Sequence, residues 1–75
     1  MALSSQDFDR MQWLLGKSKL DKLSVSEEIE LRGYIVQEFP QASGLSFANL
    51  VDFGMIYVGM TLLVERLSVK RHARN

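Results

Sequence analysis

The sequence predicts an all-α protein with two short helices and one long, apolar C-terminal helix, arranged as a helical hairpin or a three-helix unit. In the first half of the chain, apolar residues recur at helical spacing. A helix-capping signal stands at Ser24-Val-Ser-Glu27, and a nearly uncharged stretch runs over residues 45–64, too long for a strand. A chain of 75 residues is expected to form one domain, residues 1–75.

The first helix is expected over about residues 6–15. Ser4 or Ser5 can cap its N terminus, because a serine hydroxyl accepts a hydrogen bond from a free backbone N–H of the first turn. An apolar stripe predicted to face the core consists of Phe8, Met11, Leu14 and Leu15. Gly16 follows the stripe and is predicted to end the helix.

The second helix is expected over about residues 25–39. Ser24 and Glu27 form a capping box that starts it, and Pro40 ends it, because proline disfavours helix at the preceding residue. One broad apolar face of this helix consists of Val25, Ile29, Val36 and Phe39, with Ile35 at its edge. Leu31 and Tyr34 lie toward the other side, so this helix is expected to have two packing partners.

The third helix is expected over residues 46–67, with Ser46 as its cap and a basic tail, residues 68–75, after it. At 1.5 Å per residue, the part from Phe47 to Leu67 is ~31 Å long. The connection from Pro40 to Leu45 is short, which predicts that the second helix folds back beside the start of the third. The residues expected to join these two helices are Ile29, Val36, Phe39, Leu50 and Phe53.

Between Phe53 and Val64 no residue is charged, so a helix there is apolar around its whole circumference and must be covered by protein or lipid. The rest of so short a chain has too little apolar surface to cover it. We therefore expect assembly through this helix, with another copy or within a larger complex. The predicted interface residues are Phe53, Met55, Ile56, Val58, Met60, Leu62 and Leu63.

A small single-span membrane protein is the alternative. A transmembrane helix needs ~20 mostly apolar residues, and the chain has that length only if Asn49 and Asp52 lie inside the bilayer. The uncharged run from Phe53 to Val64 spans only ~18 Å. A basic tail directly after an apolar helix is, however, typical of a cytoplasmic flank, which would place the C terminus inside the cell.

The net charge is zero, but the charges are unevenly distributed. Residues 1–64 carry five basic and eight acidic side chains, whereas residues 65–75 carry four basic ones and one acidic one. The residues predicted to bind an anionic partner are Arg66, Lys70, Arg71 and Arg74. A regulatory protein that acts through this tail is a second alternative. Nucleic acid is disfavoured, because the rest of the chain is acidic and no aromatic residue interleaves the basic ones.

The residues needed for catalysis or metal binding do not form a recognisable pattern. The chain has one histidine, His72, and no cysteine, whereas metal sites need several converging ligands. We therefore expect a non-enzymatic protein without cofactor or small-molecule substrate, in the cytoplasm or within an assembly. Asp52 is expected to face solvent or to pair with a lysine or arginine, the alternative being a buried partner in an oligomer or an intramembrane polar residue. Gly54 and Gly59 could each allow a close helix crossing.

Overall fold

The structure is a computed structural model that describes the backbone of residues 3–74 and the side chains of residues 3–67. It has three α-helices, α1 (Ser5–Leu20), α2 (Val25–Glu38) and α3 (Phe47–Arg74), with a 3-10 helix, Pro40–Gly44, between α2 and α3. No strand occurs within residues 3–74. The predicted all-α class with a long C-terminal helix is confirmed, in its three-helix form.

The predicted caps start the helices. The Ser4 hydroxyl accepts a hydrogen bond from the Asp7 N–H at 3.1 Å. Ser24 and Glu27 form the complete capping box, and the Ser46 hydroxyl accepts from the Asn49 N–H at 3.3 Å. Each cap satisfies backbone donors that have no partner inside their own helix.

The first helix is longer than predicted. It passes through Gly16 and ends at Leu20, with Asp21 as its C-cap. The added turn carries Lys17 and Lys19, which form ion pairs with Glu27 and Asp52 respectively. Those contacts to α2 and α3, and the favourable position of two cations in the last turn, offset the ~1 kcal/mol cost of a glycine inside a helix.

Both predicted sides of α2 contribute to the core, but not all their residues do. Leu31 and Ile35 are the buried residues of α2, and Val36 and Phe39 pack against the core, whereas Val25 and Ile29 are exposed. The spacing alone does not show which residues of the broad face meet α1 and α3, because α2 carries apolar residues on two sides. The core that results consists of Met11, Leu14, Leu15, Leu23, Leu31, Ile35, Ala42, Leu50 and Val51.

All three helices pack against one another. The predicted contact between the end of α2 and the start of α3 is present through Phe39, whose ring meets the Phe53 ring edge to face at 5.0 Å. Ile29, which was expected to take part, does not, because it lies on the outer side of α2. Gly54 is buried where α1, α2 and α3 meet, and a Cβ on it would lie 2.8 Å from Ile35 Cδ1. The expected close crossing is therefore at Gly54.

Candidate functional site

Beyond Gly54, the described part of α3 exposes a set of large apolar side chains, which we call the α3 apolar face. Its members are large apolar side chains with 40–64% of their surface exposed. They are Met55, Ile56, Met60, Leu62, Leu63, Val64 and Leu67. From residue 62 to residue 67 every side chain is exposed. Exposed apolar surfaces of this extent are commonly sites at which proteins bind other proteins or lipid.

The different lengths of the three helices explain why the α3 apolar face is exposed to solvent. At 1.5 Å per residue, α3 is ~42 Å long, while α1 and α2 are ~24 Å and ~21 Å. Among residues 47–67, the part of α3 whose side chains the structure describes, the buried residues are Leu50, Val51 and Gly54, all in the first three turns. Beyond Gly54 the two shorter helices cover α3 only in part. The apolar side chains of that part of α3 are therefore left exposed.

The structure places five of the seven predicted interface residues on the α3 apolar face. The other two, Phe53 and Val58, are half-buried and pack against the chain's own core. Two members of the face, Val64 and Leu67, were not predicted. They follow Met60 and Leu63 at the four-residue spacing of one helix side, and that spacing was the signal that would have identified them.

A groove runs along one edge of the face, with a volume of about 530 Å³. Its lining residues are Phe39, Phe53, Ile56, Tyr57, Met60, Thr61, Val64 and Glu65. The Phe39 ring lies 5.0 Å from the rings of both Phe53 and Tyr57, edge to face in each case. Burial raises the pKa of the Tyr57 phenol, and the nearby Glu38 carboxylate adds to the increase. The packed aromatic rings of Phe39, Phe53 and Tyr57 thus form part of the groove lining.

The exposed charged residues in the described part of α3 are Asp52, Glu65 and Arg66. Asp52 is largely exposed, with Lys19 Nζ 3.8 Å from its Oδ1, as expected for a solvent-facing carboxylate paired with a lysine. Arg66 is exposed two heptads further along. The other predicted anion-binding residues, Lys70, Arg71 and Arg74, have side chains outside the described part, although the backbone is helical to Arg74. Binding of an anionic partner there stays a prediction.

Ion pairs fix α1 to α2 away from the face. The Arg10 guanidinium donates to both carboxylate oxygens of Glu30, at 2.8 and 3.1 Å. Lys17 Nζ likewise contacts both oxygens of Glu27, at 2.9 and 2.8 Å. Hydrogen bonds from Lys17 and from the Ser24 backbone lower the pKa of Glu27 to about 2. Arg10 and Lys17 also flank the ring of Trp13, at 4.8 and 5.5 Å from its centroid.

A contact that sequence reasoning missed fixes the start of α3. Arg32 Nη1 donates to the carbonyl oxygens of Ser43 and Leu45, at 3.2 and 2.9 Å. These carbonyls lie in the connection between α2 and α3, so Arg32 ties the direction of α3, and with it the apolar face, to α2. No local pattern in the sequence indicates this contact, because its donor and acceptors are 11 and 13 residues apart.

Two further observations concern the expected chemistry and location. Within the described residues, no three His, Cys, Asp or Glu side chains converge as metal ligands would; the expectation of a non-enzymatic protein stays a prediction. The segment Phe47–Leu67 is long and apolar enough to cross a membrane, and 17% of its most apolar window is buried within the chain.

No protein-family model matches the chain, and neither the curated proteins nor the solved structures compared with it include a match.

Proposed function

We propose that this chain is a non-enzymatic assembly protein that binds another protein surface through the α3 apolar face. α1, α2 and the first turns of α3 form the supporting unit, and the rest of α3 presents the binding surface. The cytoplasm, or a larger complex there, is the proposed location.

One observation carries the proposal, namely the exposure of large apolar side chains on consecutive turns of a single helix. Burial of apolar area yields about 25 cal/mol per Å², so each half-exposed leucine or isoleucine on the face stabilises a complex by roughly 1 kcal/mol when covered. A helix that presents such side chains fits a helix-in-groove or helix-to-helix contact.

Replacing Leu63 with aspartate tests this function. Sedimentation velocity of the full chain without detergent, at increasing concentration, should show association of the wild type and its loss in Leu63→Asp, because a carboxylate cannot be buried there without a partner. The matched control is Leu20→Asp, the same change at the end of α1, where leucine is 91% exposed and lies outside the α3 apolar face.

The proposal would be contradicted by a wild type that remains a monomer at the highest concentration reached, together with a Leu63→Asp variant whose sedimentation and far-UV circular dichroism are the same as those of the wild type. Association that Leu20→Asp abolishes and Leu63→Asp preserves would also overturn it, because the binding surface would then lie elsewhere.

Membrane association is the second candidate, and the length and apolarity of Phe47–Leu67 favour it. In that case α3 would have to leave α1 and α2 to span the bilayer, which would expose Leu50 and the core side chains that surround it, or lie in the interface with its basic end toward anionic headgroups. Flotation with vesicles of phosphatidylcholine and phosphatidylserine would distinguish the candidates. If the protein associates with membranes, the wild type should float with the vesicles. If it is a soluble assembly protein, it should remain in the aqueous fractions.

A further inference from the structure

We infer that the partner of the α3 apolar face is a second copy of this chain, bound antiparallel about a twofold axis that passes beside Gly59. This inference rests on the proposed function and names its partner. Four features of the described residues support it, namely the spacing of the apolar side chains, the charge at each end of the face, the position of Gly59 and the area available.

The centre of the face has coiled-coil spacing. Phe53, Ile56, Met60, Leu63 and Leu67 follow one another at intervals of three, four, three and four residues. This is the heptad pattern with which two helices pack along a shared seam. Four of the five side chains are at least half exposed, and Phe53 is half-buried at the end nearest the bundle. The face is therefore shaped to pack against a helix with the same pattern.

Charge decides the direction of the partner helix. A parallel pair would bring the two basic ends together, each with Arg66, Lys70, Arg71 and Arg74, and like charges at close range oppose binding. An antiparallel pair instead brings the basic half of one helix beside the Asp52 end of the other. This complementarity is available only in the antiparallel arrangement.

Gly59 gives the register. Asp52, Gly59 and Arg66 are seven residues apart, so they form a row along α3 that flanks this seam. With the twofold axis at Gly59, Asp52 of each copy lies opposite Arg66 of the other. Gly59 is exposed, and a Cβ built on it would meet nothing within 4 Å. The absence of a side chain there lets the two helices approach closely at the axis.

The area fits a weak dimer. On the side of α3 that carries the seam, each copy presents the exposed apolar surfaces of Ile56, Met60, Leu63, Val64 and Leu67, whereas Met55 and Leu62 lie about a third of a turn away around the helix. Two such surfaces approach the lower end of the about 1,200–2,000 Å² that specific interfaces bury. In the antiparallel arrangement the poorly supported end of each α3, residues 62–67, also lies against the better supported half of its partner, beside the groove at Phe39 and Phe53.

Charge reversal tests the register. The variants Asp52→Arg and Arg66→Asp, measured by sedimentation equilibrium on the full chain, should each raise the dimer Kd about five- to tenfold, because the symmetry creates two like-charged pairs. The double variant Asp52→Arg/Arg66→Asp should restore the Kd to within about twofold of the wild type, because it exchanges the charges within each pair. Additive weakening in the double variant would overturn the pairing.

Cysteine cross-linking tests the direction. The chain has no cysteine, so single substitutions report on one contact each. Gly59→Cys should oxidise to a covalent dimer, because the two copies of residue 59 meet at the axis. Leu67→Cys should not, because the two copies of residue 67 would lie ~24 Å apart along the helices. Efficient cross-linking of Leu67→Cys without cross-linking of Gly59→Cys would show a parallel pair.

The two proposals fail in different ways. Association that Leu63→Asp abolishes, together with the parallel cross-linking pattern or no rescue by the double charge reversal, would overturn the antiparallel dimer and leave the assembly function intact. A wild type that is monomeric at every concentration would overturn both, and the vesicle flotation would then decide for or against the membrane.

Discussion

A Cβ built on Gly54 of α3 would lie 2.8 Å from Cδ1 of Ile35 in α2 and 3.1 Å from Cδ2 of Leu15 in α1. The missing side chain at this position is thus what lets the three helices meet. Leu15 and Ile35 are almost completely inaccessible to solvent, so both side chains would have to shift within the core to make room for a Cβ.

We expect Gly54→Ala to lower the free energy of unfolding by about 1–2 kcal/mol, because crowding of the core outweighs the gain in helix propensity. The control is Gly33→Ala in α2, where a Cβ would meet nothing within 4 Å. That change should raise stability by about 0.5–1 kcal/mol. Urea unfolding at a fixed protein concentration measures both, and an equal effect of the two substitutions would contradict the close crossing.

The burial pattern of α2 predicts that substitutions of its buried residues lower the stability of the fold much more than substitutions of its exposed residues. Leu31→Ala should cost about 2–5 kcal/mol, because it leaves a cavity where Leu31 is fully buried. Ile29→Ala should change stability by no more than ~0.5 kcal/mol, because Ile29 is 67% exposed. Thermal unfolding of the two variants compares them directly. A larger loss in Ile29→Ala than in Leu31→Ala would contradict this burial pattern.

Arg32 should matter more to the α2–α3 connection than a partly exposed arginine usually does. Arg32→Met keeps the apolar part of the side chain but removes both hydrogen bonds to the Ser43 and Leu45 carbonyls. We expect a loss of about 1–2 kcal/mol. Hydrogen exchange should also show faster exchange of the amides at the start of α3, near Asn49. Unchanged protection of those amides would show that the Arg32 hydrogen bonds do not support the connection.

The ion pair between Lys17 and Glu27 predicts a dependence of stability on pH. The pKa of the Glu27 carboxyl is about 2 in the folded chain, whereas its ordinary value is 4.5. Because the folded pKa is the lower one, the carboxylate stabilises the fold above pH ~4.5, and this contribution is lost as the pH falls toward 2. Glu27→Gln should therefore be less stable than the wild type at neutral pH and should lose less stability over that range.

The control for this titration is Glu28→Gln, which changes the neighbouring residue in the same turn of α2. Glu28 does not take part in the hydrogen bonds of Glu27 with Lys17 and Ser24. Thermal unfolding from pH 5 to pH 2 should show a weaker dependence of stability on pH in Glu27→Gln alone. The same dependence in Glu27→Gln and the wild type would mean that Glu27 does not cause the loss of stability at low pH.

Local signals in the sequence determined the helices of this protein and where they begin. The hydroxyls of Ser4, Ser24 and Ser46 each satisfy a backbone N–H within three residues, so their effect does not depend on the rest of the fold. The apolar character of residues 53–64 is likewise local, and it sufficed to predict a helix with more apolar surface than this chain covers.

Tertiary structure decided where α1 ends, which residues of α2 are buried and which residues of α3 are left uncovered. Helix α1 continues past Gly16 because its last turn gains partners on α2 and α3. The burial pattern of α2 follows from packing around Gly54, and the exposed side of α3 from the shorter length of the two helices beside it. Each of these outcomes depends on contacts between residues far apart in the chain, which the spacing of residues along one helix does not specify.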